Sequence, residues 1–372
     1  MKRIFLSIGL LTIGFSAYSQ KYEFQTVKEI ACTPVISQGN TGTCWSFSST
    51  SFLEAEIIRT TGKAIDLSEM YNVRNTYPKK AWVYVMRQGK AQFGEGGLNH
   101  DVINSARNFG LVPVNAYSGF ANDEKSHNHA KMVEELESIL KPAADPSKKS
   151  NSKWKEEVSA ILDKYLGKNL TEFTYEGKTY TPKSFLAMTK LNMDDYVTIS
   201  SFLHEPFYKQ FILDIPDNFS NGSFYNVPLD EFVANIDNAL DKSYTLALDT
   251  DISEPTFSSK SGIAVIPNDE ADKKTILSEI KSEKDITPEF RQAEFENFNT
   301  VDDHLMHIVG KVKDQKGNIY YKVKNSWGDN SSRVANGGFI YMSVPFLKLK
   351  AISVLVHKDA LTKNTRKALE IK

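Results

Sequence analysis

The stretch Gln38-Gly39-Asn40-Thr41-Gly42-Thr43-Cys44-Trp45 delivers a thiol to the start of an apolar segment. Gly39, Gly42 and the small polar residues let the backbone turn tightly with its amide groups facing outward. Beyond them Trp45, Phe47, Phe52, Leu53, Ala55, Ile57 and Ile58 predict a largely buried helix, closed by Arg59, Thr60, Thr61 and Gly62. The unpaired N–H groups and the macrodipole at a helix N-terminus favour an anion, which predicts a lowered thiol pKa and a reactive thiolate. A cysteine among aromatic residues is by itself more often an inert core side chain. Two distant blocks supply what a nucleophile needs. Asp303-His304, followed by Gly310, offers an imidazole, and Lys324-Asn325-Ser326-Trp327-Gly328 offers an amide to orient it.

Gln-x5-Cys-Trp, Asp-His-x5-Gly and Asn-Ser-Trp-Gly, in that order, resemble the papain-like cysteine peptidases. The resemblance implies a Cys44–His304–Asn325 triad, with Gln38 and the Cys44 backbone N–H as the oxyanion hole and Trp327 shielding the His–Asn contact. It also implies substrate contacts from Trp45, Trp327 and the pair Gly96-Gly97, whose lack of side chains lets an extended peptide backbone approach. His307 competes with His304 for the catalytic role. His304 is preferred because it follows an acid and precedes Gly310 by the family spacing; His307 is read as a strand residue near the cleft wall.

Around these blocks the elements can be placed. Met1-Lys2-Arg3, an apolar run over 4–15 and the small residues Ala17 and Ser19 read as a secretory signal peptide over 1–19, cleaved before Gln20, with no retained membrane anchor. An exported, periplasmic or extracellular protein is therefore expected. Loss of Lys2 and Arg3 moves the net charge from −1 to −3, so nothing suggests a nucleic-acid partner. A hydrophobic content of 41% with 24% charged residues fits one large globular domain over 20–372. Of the two cysteines, Cys44 must stay free to act, which leaves Cys32 without a partner and reads it as a small buried core residue. The family's cysteine three residues before the nucleophile is Thr41 here.

Asp66-Leu67-Ser68-Glu69 opens a second helix expected to end at Pro78, and a helix over 101–109 stops at Gly110. Cys44 and His304 are 260 residues apart, against about 130–150 for a minimal enzyme of this kind. A largely helical insertion over about 121–230 accounts for the difference. It includes helices over 130–140 and 153–166 and a hairpin over 175–180. His204 and Glu205 lack further residues at ligand spacing, so no metal or other cofactor is expected. A polar surface excursion over 267–292 precedes short alternating strands over 305–342. The fold class is α+β: a helical left lobe carrying the nucleophile and an antiparallel β right lobe carrying His304 and Asn325.

The insertion resembles that of the bleomycin hydrolase or aminopeptidase C branch. That resemblance implies an aminopeptidase acting on peptides through an acyl-enzyme, often as a homo-hexamer, with a C-terminal arm in the cleft. The tail 356–372 is shorter than such an arm. Endopeptidase or dipeptidyl-peptidase action, and Cys/His acyl transfer, are therefore kept as alternatives; a non-catalytic binding protein would have no need of Gln38, Cys44, His304 and Asn325 together.

Overall fold

The computed structural model describes residues 21–120, 125–148 and 153–372, so the expected signal peptide lies outside the described residues. After β1 (Gln25–Glu29), the loop before the nucleophile leads into α1 (Cys44–Thr61), which Gly62 closes in the left-handed conformation at φ 72°. α2 (Glu69–Met86) starts where Ser68 accepts the Tyr71 N–H. It does not stop at Pro78 but continues to Met86 with the proline inside. An interior proline costs about 3 kcal/mol. Burial of Ala81, Val83 and Val85 beyond it offsets that cost, at about 1.5–3 kcal/mol for a fully buried valine.

α3 (Asn99–Phe109), α4 (Ala130–Ala143) and α5 (Trp154–Leu166) share a single core with the first two helices. In it, Met132, Leu136, Val158 and Leu162 pack with Phe52, Leu53, Val73 and Val102. α4 extends past the expected end at 140, taking Pro142 into its last turn. β2 (Phe173–Tyr175) and β3 (Lys178–Tyr180) form the expected hairpin, followed by α6 (Pro182–Met188) with Thr181 as its N-cap.

The segment expected to be a helical insertion then turns into strands: β4 (Tyr196–Ser200), β5 (Gln210–Ile212) and β6 (Ser223–Asn226). Burial decides this. Val197, Thr198 and Ile199 are β-branched and lie against the main sheet, which this segment extends. α7 (Leu229–Asp241) follows, then β7 (Leu246–Thr250), β8 (Phe257–Ser258), β9 (Ile263–Ala264) and α8 (Pro288–Glu296). The chain closes with β10 (His304–Lys313), β11 (Ile319–Lys324), β12 (Phe339–Ser343), α9 (Val344–Lys350), β13 (Ala351–His357) and α10 (Lys363–Ala368).

One sheet runs in the order β5-β6-β4-β13-β7-β10-β11-β12-β9-β8, with β1 also paired to β10. Its pairs are antiparallel apart from β4–β6 and β9–β12. Its core of Leu246, Leu248, Met306, Ile308, Val323 and Val354 is distinct from the helical one, giving the two lobes of the expected α+β architecture. α1 bridges them by packing on β10, where Ser48 Oγ donates to Met306 O at 2.6 Å. Gly310 lets β1 pair closely with β10, because a Cβ there would stand 2.3 Å from Lys28 O.

The stretch 267–292 is less of a surface excursion than its polarity suggests. Ile276 and Ile286 are buried, and Arg291 is 2% exposed with its guanidinium donating to Ser201 O, Lys348 O and Leu349 O. The buried charge is tolerated because backbone carbonyls receive it. α10 docks on α7 through Thr365 and Asn235. Among the described residues, no helix is long and apolar enough to cross a membrane.

Candidate active site

Cys44 is the first residue of α1, His304 the first of β10, and Asn325 directly follows β11. His304 Nε2 lies 2.8 Å from Asn325 Oδ1. The same oxygen accepts the Ser326 N–H at 2.8 Å, which fixes the amide orientation. An amide oxygen only accepts, so the neutral imidazole carries its proton on Nε2 and keeps Nδ1 as a lone-pair base. Trp327 covers His304 with ring centroids 5.0 Å apart, and Phe257 meets Trp327 edge-on.

His307 faces elsewhere. Its Nδ1 is 2.9 Å from Ser51 Oγ, which also accepts from Lys324 Nζ at 2.8 Å. Lys324 in turn reaches Thr33, whose hydroxyl donates to Glu54. Glu54 lies beside Asp66 and Glu69, and burial raises the pKa of all three carboxyls. This network supports α1 from behind.

Burial reverses the expected thiol chemistry. It pushes the Cys44 thiol up to about 12, and the nearby charges of Asp302 and Asp217 push in the same direction. Burial likewise brings His304 down to about 4, although its bond to Asn325 favours the cation. Desolvation of the charged forms thus works against the helix N-terminus at this thiol.

The Gln38 loop is pinned to the Asn325 loop. Gln38 N–H donates to Ser326 O at 2.8 Å, Ser326 Oγ donates to Gln38 Oε1, and Gln38 Nε2 donates to Thr41 O at 2.6 Å. A primary amide has two N–H donors, so one remains for a ligand. Gly39 has φ 69°, and a Cβ there would stand 2.7 Å from His127 O, so the 125–128 segment clamps the loop.

Sequence reasoning missed the residues that hold this loop. Glu95 Oε2 accepts from Gly42 N–H and from Thr41 Oγ1, the latter at 2.7 Å. Because that hydroxyl proton is committed to Glu95, Thr41 must accept from His129 Nδ1, 2.8 Å away. Burial lowers His129 to about 4, in keeping with a neutral donor. A polar network thus stands where the family has a cysteine. Glu95 precedes the glycine pair and had a local signal; His129 had none.

Trp45 is 1% exposed, its Nε1 donating to Glu95 O at 2.9 Å. A Cβ on Gly97 would stand 3.1 Å from its ring, so Trp45 supports the glycine strip from below rather than facing a ligand. Gly96 O accepts from Lys80 Nζ. A Cβ on Gly96 would stand 1.9 Å from Asp217 Oδ2, so the Asp217 carboxylate lies directly on that residue. Cys32 and Cys44 are both free, and Cys32 is half-buried rather than part of the core.

The sequence profile of the Peptidase C1-like family matches residues 15–372. Aminopeptidase G of Lactobacillus delbrueckii subsp. lactis is 24% identical over 383 positions, covering 92% of this chain and 84% of that protein. A cathepsin L-like peptidase of Aedes aegypti is 32% identical over 111 positions, covering 28% of this chain and 29% of that protein. The crystal structure of PepW from Lactobacillus rhamnosis HN001 shares the fold, with a TM-score of 0.75 at 17% identity over 93% of this chain and 84% of that one.

Proposed function

The chain is a cysteine peptidase of the Peptidase C1-like family with a papain-like fold, and from that premise we propose that it acts as an aminopeptidase through Cys44, His304, Asn325 and Gln38. One observation carries the exopeptidase part: the segment 213–222 puts a side chain on Gly96 of the glycine pair. Asp217 sits on Gly96 and accepts from Gln92 Nε2 at 2.9 Å. Asn221 accepts from Arg87 at 2.8 Å, and Ser220 Oγ is 2.9 Å from His100 Nε2. Asn218 braces the turn, donating to Leu213 O and Gly222 O. A peptide running along the strip beyond its first residue would meet this segment. The whole-length likeness to an aminopeptidase points the same way.

In the mechanism, Cys44 Sγ attacks the scissile carbonyl as its proton passes to His304 Nδ1. The oxyanion that forms is received by the Cys44 N–H and the free Gln38 Nε2–H. The imidazolium, oriented by Asn325, gives its proton to the leaving amine. Water, deprotonated by the same nitrogen, then releases the N-terminal residue from the thioester. Export remains part of the proposal, tested by cell fractionation.

The decisive test offers one peptide with a free and with an acetylated N-terminus to wild type and Cys44→Ala, and maps the products by mass spectrometry. Stepwise removal of residues from the free form alone is expected, with no cleavage by the variant. Equal internal cleavage of both forms would replace the reading with an endopeptidase, and an active Cys44→Ala would overturn the mechanism.

A further inference from the structure

The free N–H of the Gln38 amide is aimed by whatever its other N–H meets, because the two share one planar group. Gln38 Nε2 donates to Thr41 O at 2.6 Å, so the placement of Thr41 sets the direction of the remaining donor. The loop from Gln38 to Gly42 is held at two ends. At the first, Gln38 N–H donates to Ser326 O and Asn40 N–H to His127 O, each at 2.8 Å. At the second, next to the nucleophile, Glu95 Oε2 accepts from Gly42 N–H and from Thr41 Oγ1, the latter at 2.7 Å. A Cβ on Gly42 would stand 3.0 Å from Glu95 Cβ, so the loop lies flat against this side chain. The Glu95 carbonyl receives Trp45 Nε1 at 2.9 Å, from the residue after the nucleophile, and the chain runs directly on into Gly96-Gly97.

We infer that Glu95 is a positioning residue for the reaction. Its carboxyl group holds Thr41 and Gly42 so that the Gln38 amide faces the oxyanion, and its backbone keeps the glycine pair in fixed register with that amide. This inference rests on the roles given above to Gln38 and Cys44 and deepens them. Donors stabilise a transition state fully only when they are aimed before the charge develops. Without the Glu95 carboxyl, Ser326 still holds Gln38 at its N–H and its Oε1, whereas Thr41 and Gly42 lose an acceptor they share. The oxyanion donor is then displaced rather than removed. The cost is a part of the roughly two to three orders of magnitude that a lost donor costs.

The test measures kcat and KM on a free-terminus peptide that begins with leucine, and inhibition by leucinal and leucinol. It compares wild type, Glu95→Ala, Glu95→Gln, Gln38→Ala and the double variant Glu95→Ala/Gln38→Ala. Attack of the thiol on leucinal makes a tetrahedral oxygen for the donors to receive, whereas leucinol has no carbonyl to attack. Glu95→Ala should lower kcat and weaken leucinal about five- to fiftyfold, with KM and leucinol inhibition changing less than about threefold. Glu95→Gln keeps an oxygen for both donors and should recover most of that loss. In the Gln38→Ala background, Glu95→Ala should cost less than about a further threefold, because residues that act through one another do not add. A fully additive loss, or a Glu95→Ala variant with wild-type kcat beside an impaired Gln38→Ala, would overturn the inference and leave the role of Gln38 standing. A Gln38→Ala variant with wild-type kcat would overturn that role itself. Should Glu95→Ala fail to fold, the same cycle run with Thr41→Val, which removes one of the two bonds to Glu95, decides.

Discussion

His304 Nε2 and Asn325 Oδ1 are 2.8 Å apart, and the oxygen that receives the imidazole also receives the Ser326 N–H. This shared acceptor sets the tautomer. It holds the amide oxygen toward the ring while Asn325 Nδ2 stays buried without a partner. Asn325→Ala frees the imidazole to rotate and to shift its proton to Nδ1. We expect kcat/KM to fall by about tenfold to a hundredfold, the cost of about 1.5–3 kcal/mol for such a contact, with KM nearly unchanged. Steady-state kinetics on a free-terminus peptide decide it. A variant with wild-type kcat would remove Asn325 from the mechanism.

Gln38 is held at both ends of its amide, by Ser326 at Oε1 and by Thr41 O at Nε2. Its remaining N–H is the donor assigned to the oxyanion. Gln38→Ala should lower kcat by about two to three orders of magnitude, as loss of one oxyanion donor does. Thermal melting run alongside separates this from loss of the loop's shape. A drop in stability with kcat retained would make Gln38 only a brace.

The chemistry-bearing blocks were legible because local spacing fixed them: Cys44 opens α1 as the glycine-rich loop predicts, and His304 and Asn325 meet across neighbouring strands. Less legible was whatever depends on burial. A helix N-terminus alone would lower the Cys44 pKa, yet the packed junction of α1 with β10 raises it. Pro78 looked like a helix end because its local cost is visible in sequence, whereas the core contacts of Ala81 and Val85 beyond it are not. The strands β4 to β6 escaped notice for a similar reason, since β13, the strand that joins them to the rest of the sheet, lies far along the chain. Asp217 and His129 reach the site from distant loops, and no periodicity or motif marks such residues.

The raised thiol pKa has a chemical consequence that alkylation can read. Asp302 adds to the effect of burial by placing a negative charge near Cys44, and its own carboxyl is pushed up to about 7 by burial and by Asp217. Above pH 7 the carboxylate is ionised and the thiolate disfavoured. Asp302→Asn removes that charge, so iodoacetamide should label Cys44 about three- to tenfold faster at pH 8. Below pH 6, where Asp302 is already protonated in wild type, the two rates should converge. Equal rates at both pH values would show that burial alone controls the thiol.

Glu283 lies far from the chemistry but sets a stability limit. Its Oε2 accepts from Ile266 N–H at 2.8 Å and from Ser343 Oγ, and burial raises its pKa to about 7 from 4.5. Because the folded value is the higher one, the folded protein holds this proton more tightly than the unfolded chain. The contribution is fully present below pH 4.5 and is lost as pH rises through 7. Glu283→Gln keeps an oxygen for both donors and never ionises. At pH 8 it should therefore be more stable than wild type by about 2–3 kcal/mol. At pH 4.5 that advantage should vanish or reverse, since the added NH2 group needs a partner of its own. Calorimetric melting of both proteins at the two pH values measures this as a difference of differences, in which the other buried carboxyls cancel. A gap between variant and wild type that stays constant across pH would mean that Glu283 titrates alike in the folded and unfolded chain.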